Sequence, residues 1–247
     1  MAAVTHPTHL ADLAARGLVT RAAAGPAAAE RTLPLLPAWA SLVPGTTVQR
    51  GSVVSCAGAA AVSMALSLAA GPSQQGAWTA VAGLPTLGLA AAAEAGVALE
   101  RLVALAEPAD GDRWSDAQWA DLLAACIDGF DVVLLGPGAQ AVRPGTARRL
   151  LARLQSRGAV AITVGAPVFG GDLHVECVAS SWAGLGDGHG VAQGRRARLE
   201  LTGRRVPRTR TADLWLPAAD GQVRPVDAPA VVPTADTSAP IPLRRTG

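Results

Sequence analysis

The chain has 247 residues and a formal net charge of +2, enough length for one core of roughly 200 residues plus tails and too little charge to name a partner. Half of the residues are hydrophobic, alanine being the commonest of them; only 3% are aromatic, tyrosine is absent, and every basic side chain is arginine because no lysine occurs. Three isolated cysteines, Cys56, Cys126 and Cys177, argue against a disulfide framework and fit a reducing, cytoplasmic setting.

The N-terminal stretch MAAVTHPTHLADLAARG carries His, Asp and Pro where a secretory signal needs an unbroken apolar run. Residues 7–22 place Leu10, Leu13, Ala14 and Leu18 on one helical face, which predicts a short amphipathic helix. Residues 1–32 are read as that helix and an Ala-rich linker. The run 53–70 is apolar enough to consider as a membrane span, but Gly58 and several serines interrupt it and its first half is β-branched. A buried strand followed by a buried helix accounts for it better, and no membrane association is expected.

From there strands alternate with helices. Strands are predicted at 51–56, 78–82, 102–106, 130–135 and 160–164, and helices at 63–70, 89–95, 116–127 and 147–157. Continuous apolar strands between helices imply a mostly parallel sheet covered on both faces. After Gly171 the pattern changes. Segments 173–182, 191–202 and 211–216 look like strands joined by Gly-rich and Arg-rich turns, and predict an antiparallel β-extension of the sheet. The core is read as 33–220. Residues 221–247, rich in Pro, Ala, Thr and Asp, are read as a disordered tail that ends in Ile241-Pro242-Leu243-Arg244-Arg245.

In such a sheet the first strand-to-helix turn is where a nucleotide is held. A working P-loop, G-x-x-x-x-G-K-[ST], surrounds the phosphates with backbone N–H groups, reaches them with its lysine and holds Mg²⁺ with its hydroxyl. Here the turn reads GSVVSCAG-AAAV-SMALSLA. After Gly58 there is no second glycine and no lysine, and the loop is about three residues short. Ser63 stands near the hydroxyl position and is read as capping the helix or lying within it. The strand Phe130-Asp131-Val132-Val133-Leu134-Leu135 ends in Gly136-Pro137 where a Mg²⁺-binding carboxylate would stand, and Asp131 comes five residues too early, as a cap or turn. No cofactor, no metal and no catalytic residue is expected.

Other constellations are weak. His174-Val175-Glu176-Cys177 has the H-x-E of zinc deaminases but lacks P-C-x-x-C, and strand alternation explains its spacing. His6 and His9 have no further ligands nearby in the sequence. No G-x-S-x-G elbow is present. Arg195, Arg196, Arg198, Arg204, Arg205, Arg208 and Arg210 place seven arginines in sixteen residues, opposed only by Glu200. They form either a phosphate-binding face or the charged, solvated edge of the extension, so direct DNA contact stays open. Trp182 and Trp215 flank this segment, as buried core first and partner anchors second.

The order of QRGSVVSCAG, AVAGLPTLGLAAAAEAGVALERLVALAEP, DGFDVVLLGP and ARRLLARLQSRGAVAITVG resembles the RecA core. In that frame the catalytic glutamate falls near Leu84 and the nucleotide-sensing glutamine near Gly165. The DNA-contacting loops shrink to GPGAQAVRPG and GAPVFGGD. With WAGLGDGHG and LWLPAADG added, the chain resembles the actinobacterial ImuA′ proteins, degenerate RecA relatives, over roughly 33–221. The resemblance implies a non-catalytic accessory protein in SOS-induced, error-prone translesion DNA synthesis and mutagenesis. Its partners would be an ImuB-type polymerase-like subunit and, indirectly, an error-prone C-family polymerase and the sliding clamp, with RecA a further candidate. The partner surface is placed at Trp182, Arg204, Arg205, Trp215, Ile241, Leu243, Arg244 and Arg245. Alternative readings are a RecA-binding regulator or SulA-like cell-division inhibitor, and an atypical RecA-fold NTPase.

Overall fold

A computed structural model describes residues 31–105, 114–165, 168–186, 189–204 and 206–226. The expected N-terminal helix around Leu10, Leu13 and Leu18 lies outside the described residues.

A two-stranded antiparallel ribbon, β1 (Thr32–Pro34) and β2 (Thr47–Gln49), precedes the main sheet. The parallel core consists of β3 (Val53–Gly58), β4 (Thr79–Ala82), β5 (Leu102–Leu105), β6 (Val132–Leu135), β7 (Val160–Val164) and β8 (Leu173–Gly186). Then β9 (His189–Gly203), β10 (Arg210–Trp215) and β11 (Arg224–Pro225) add on antiparallel. The nine-stranded order is β11-β10-β9-β8-β3-β7-β6-β4-β5.

The predicted alternation of strands and helices holds in kind, with most boundaries displaced by a few residues. One pairing differs. The extension was expected to be antiparallel from residue 173, but β8 runs parallel to β3, with Val54 opposite Leu173 and Gly58 opposite Cys177. The antiparallel pairing starts one strand later, at the β8–β9 hairpin. Local pattern could not show this, because the partner of β8 lies over a hundred residues back in the chain. The ordered sheet also runs past Asp220: β11 pairs with the end of β10, inside the segment read as tail.

Helices cover both faces of the parallel part, as the continuous apolar strands require. Helix α1 (Ala61–Gln74), α2 (Leu89–Glu94) and the β1–β2 ribbon cover one face, packing Met64, Leu68 and Trp39 against Val54, Cys56, Ile162 and Leu134. Helices α3 (Asp116–Gly129) and α4 (Pro144–Arg157) cover the other, packing Trp119, Leu123, Leu150 and Leu154 against Val53, Val133 and Ala161. Each helix on that side has a local start signal. In α3 a capping box pairs the Ser115 hydroxyl with the Gln118 N–H and the Gln118 carbonyl with the Ser115 N–H. In α4, Pro144 opens the helix and left-handed Gly158 closes it. The extension is covered on one face only: Ala197, Leu199, Leu201 and Leu214 join the α1-side core, while Arg196, Arg198 and Asp213 lie on the bare face. No helix among the described residues is long and apolar enough to cross a membrane.

Cys56, Cys126 and Cys177 are free and buried. Burial pushes the Cys56 and Cys126 thiols up to about 12, so in the folded chain they stay protonated where an unfolded chain would ionise them. The folded state then holds more protons than the unfolded state, and stability falls as pH rises through 9. The expected slope approaches 1.4 kcal/mol per pH unit for each thiol. Denaturant melts at pH 8 and pH 10 check it. Replacing both cysteines with alanine should remove the alkaline loss, and an equal loss in that variant would refute the assignment.

Candidate functional site

The carboxyl end of β3 is the natural ligand position of this sheet. The chain leaves β3 through α1 on one face, returns through β6 and β7 under helices of the other face, and then crosses β3 to form β8. Connections diverging from one strand leave a crevice at its carboxyl end.

Only Ala59 and Ala60 join β3 to α1. A phosphate cradle needs a bowed run of backbone N–H groups, and two residues are too few to make one. Gly58 ends β3 at φ +85°, and a Cβ there would lie 2.4 Å from the Cys177 carbonyl oxygen on β8. The glycine therefore lets β8 approach closely.

Ser63 lies in the first turn of α1, as expected. Its hydroxyl accepts a 2.6 Å hydrogen bond from Nη2 of Arg195 on β9. The same guanidinium donates through Nη1 to the Ala59 carbonyl at 3.3 Å and through Nε to the Leu216 carbonyl at 2.9 Å. Its Cζ lies 5.4 Å from the Trp182 ring centroid, a cation–π distance. The backbone fixes Arg195 further: its N–H donates to the Pro217 carbonyl at 2.8 Å, and its carbonyl accepts from Leu216 N–H at 2.7 Å. Partial burial lowers the pKa of its guanidinium, and a Coulombic contribution from Cys177 acts the other way; arginine keeps its charge in such a setting. Thus the turn after β3, the WAGLGDGHG segment through Trp182 and the LWLPAADG segment through Leu216 converge on one arginine.

Sequence reasoning grouped Arg195 with its neighbours and missed this role. No plain count could have found it: counted back from the Gly186–His189 pair, Trp182 falls opposite Gln193, and the register shift between Ala183 and Leu185 moves it to Arg195. The seven arginines do not form one face. Arg196 and Arg198 lie on the opposite side of β9 and bind Asp213 at 3.0 and 3.1 Å, a carboxylate that the linear count did not include. They hold the Asp213 carboxyl below its ordinary range, the Arg198 hydrogen bond most of all. Arg204, Arg208 and Arg210 lie at the far end of the extension, and Arg205 is outside the described residues.

The two tryptophans also separate. Trp182 is 45% exposed, which corrects the buried-core reading; it lies on the part of β8 beyond its pairing with β3, which ends at Cys177. Trp215 is half-buried and pairs with Arg196, so it faces the bare side of the sheet. Adjacent residues of a strand point to opposite faces, so Arg195 and Arg196 carry their partners Trp182 and Trp215 apart. Of the proposed partner residues, Trp182, Arg204 and Trp215 are placed, on no common surface. Ile241, Leu243, Arg244 and Arg245 lie outside the described residues.

The positions at which the RecA resemblance expects the other nucleotide contacts are occupied by the protein's own groups. Gly136 N–H donates to the Ala82 carbonyl at 2.9 Å, and a Cβ on Gly136 would lie 2.1 Å from the Gly83 carbonyl oxygen. The ends of β4 and β6 therefore touch where a Mg²⁺ carboxylate would stand. Leu84, at the glutamate position, is buried, and Gly165 N–H donates to the Cys56 carbonyl. Asp131 is a clasp across strand starts: it pairs with Arg50 at 2.9 Å and accepts from Trp78 N–H at 3.1 Å. His174 Nδ1 is 2.7 Å from the Ser55 hydroxyl, with Glu176 3.8 Å from its Nε2. Among the described residues no three His, Cys, Asp or Glu are grouped to hold a metal ion.

Two comparisons bear on identity. The model of a family described as "MT3502 N-terminal domain" matches residues 41–170, which reach from before β2 to beyond β7 and stop short of the β8–β11 extension. A protein of Mycobacterium tuberculosis (strain ATCC 25618 / H37Rv), described as "Uncharacterized protein Rv3395c", is 35% identical over 118 residues, 48% of this chain and 50% of that protein. The chain thus spans about half the length of the curated relative it matches.

Proposed function

The chain belongs to the MT3502 N-terminal domain family, and from that premise we propose a degenerate RecA-like accessory protein that binds partners in damage-induced, error-prone translesion DNA synthesis. The observation that carries the reading is Arg195. A side chain of the protein itself fills the mouth of the turn after β3, held by Ala59, Ser63 and Leu216. A nucleotide would have to break these bonds and enter a turn with no phosphate cradle. Such a protein acts by what it holds. Exposed apolar side chains support a protein partner: Trp182, Leu185 and Val191, exposed by 45%, 52% and 76%, all belong to the free half of the β8–β9 hairpin. Aromatic residues are common interface anchors. The partner in this reading is the ImuB-type polymerase-like subunit, with the error-prone C-family polymerase and the sliding clamp reached through it.

The test has two arms. Titration calorimetry with ATP or ADP, with and without Mg²⁺, is expected to give no heat of binding, and ATP turnover should stay at buffer background. Co-purification with the ImuB-type protein should weaken at least about tenfold in a Trp182→Ala, Leu185→Ala double variant, since one or two interface anchors contribute more than about 1.4 kcal/mol. Micromolar nucleotide affinity or turnover would favour an atypical NTPase instead. Full partner binding by the double variant, with an unchanged circular dichroism spectrum, would move the interface elsewhere, the tail at Ile241 and Leu243 being next.

A further inference from the structure

At the opposite end of the sheet from Arg195, a cleft of about 870 Å³ opens between the β1–β2 ribbon, the start of β3 and the turn between β9 and β10. Four guanidinium-bearing residues line it, Arg31, Arg50, Arg208 and Arg210, against one carboxylate, Asp172. That carboxylate is already committed, accepting the Val53 N–H at 3.0 Å. Arg50 is committed too, to Asp131 and the Gly158 carbonyl. Arg31, Arg208 and Arg210 are exposed, and among the described residues no carboxylate pairs with any of them. Arg210 reaches only the Ser41 carbonyl, at 3.4 Å. Exposed Arg204 stands beside the cleft, its N–H bonded to the Asp172 carbonyl.

This arrangement differs from that of Arg196 and Arg198. Those two share the carboxylate of Asp213, which balances one of their two charges and fixes both guanidiniums within the protein. Three arginines around one concavity, with Asp172 the one carboxylate of its lining and paired with none of them, leave a net positive field. Guanidinium is the side chain that matches phosphate oxygens in a two-pronged way. Thr32, Thr47 and Gln155 add neutral donors to the same walls.

We propose that this cleft binds the sugar–phosphate backbone of a single nucleic-acid strand. No Trp or Phe lines it, so it offers no platform for base stacking, and binding follows charge and not sequence. The ribbon residue Arg31 and the turn residues Arg208 and Arg210 grip the phosphates from opposite walls. An acidic protein segment presents the same sign of charge and is the competing occupant. The site is independent of the adaptor reading, because it shares no residue with the hairpin end or with the turn after β3.

Fluorescence anisotropy of a labelled oligothymidylate, with the full chain, tests it. Three phosphate contacts on a single strand predict an affinity loss of roughly twentyfold between about 50 and 200 mM salt, from a log–log slope of about 0.7 per contact. The triple variant Arg31→Ala, Arg208→Ala, Arg210→Ala is expected to lose at least about tenfold in affinity at low salt and most of that salt slope. Arg196→Ala with Arg198→Ala, on the bare face, should bind as the parent does. Thermal melts of both variants check that the fold is kept, which exposed positions favour. Three results overturn the proposal: no binding by the parent at low salt, equal losses in the two variants, or competition by polyglutamate as effective, charge for charge, as by unlabelled oligothymidylate. The last would assign the cleft to an acidic protein segment.

Discussion

Replacing Gly58 with alanine is expected to cost about 2–4 kcal/mol of stability and lower Tm by roughly 5–15 °C. Elsewhere a Gly→Ala change stabilises by up to about 1 kcal/mol, because it restricts the unfolded chain. Here the sign reverses for two reasons. The backbone at Gly58 has φ +85°, which an L side chain rarely adopts, and the new methyl would sit 2.4 Å from a carbonyl oxygen of β8. The strand must move, and β8 carries the hairpin that presents Trp182 opposite Arg195. On the accessory role proposed above, the measurement compares the thermal melt with damage-induced mutation frequency in cells. A loss of mutagenesis in proportion to the loss of folded protein is the expected outcome. A variant that melts like the parent yet abolishes mutagenesis would show that the turn still contacts a ligand.

Trp119→Ala is expected to cost about 3–5 kcal/mol, the range for emptying a buried tryptophan site. Trp119 is 1% exposed and stacks edge-on against Trp114 at 4.8 Å. It also lies beneath Gly83, where the ends of β4 and β6 meet. Its loss opens a cavity between α3 and the sheet and loosens the Gly83 turn where the ends of β4 and β6 meet. Trp182→Ala is the matched control: exposed and outside both core clusters, it should change stability by less than about 1 kcal/mol. Chemical denaturation followed by far-ultraviolet circular dichroism separates the two. Equal losses would mean that Trp182 is packed in solution.

Much of the architecture was legible because its signals are local. Continuous apolar runs such as Val132–Leu135 and Val160–Val164, separated by helical patterns, can bury both faces only in a covered parallel sheet. The capping box at Ser115 and the Pro144 to Gly158 frame mark helix limits within a few residues. The absence of lysine and the shortness of the turn after Gly58 were equally plain. The Arg-rich segment was legible as composition only: its charges lie on one continuous strand and turn, but a period of two sends neighbours to opposite faces.

By itself, then, the sequence determined an α/β sheet with helices on both sides and a first strand-to-helix turn without lysine or a second glycine, since hydrophobic period and turn chemistry act over a few residues. Only the tertiary structure decided which strands meet and therefore which side chains do. It set β8 parallel to β3, brought Arg195 of β9 across β8 onto Ala59 and Ser63, gave Arg196 and Arg198 to Asp213, and left Arg31, Arg208 and Arg210 around one cleft. The physical reason is that these contacts join residues from 15 to over 170 positions apart. Strand register sets them, and register is satisfied only when the whole sheet is assembled.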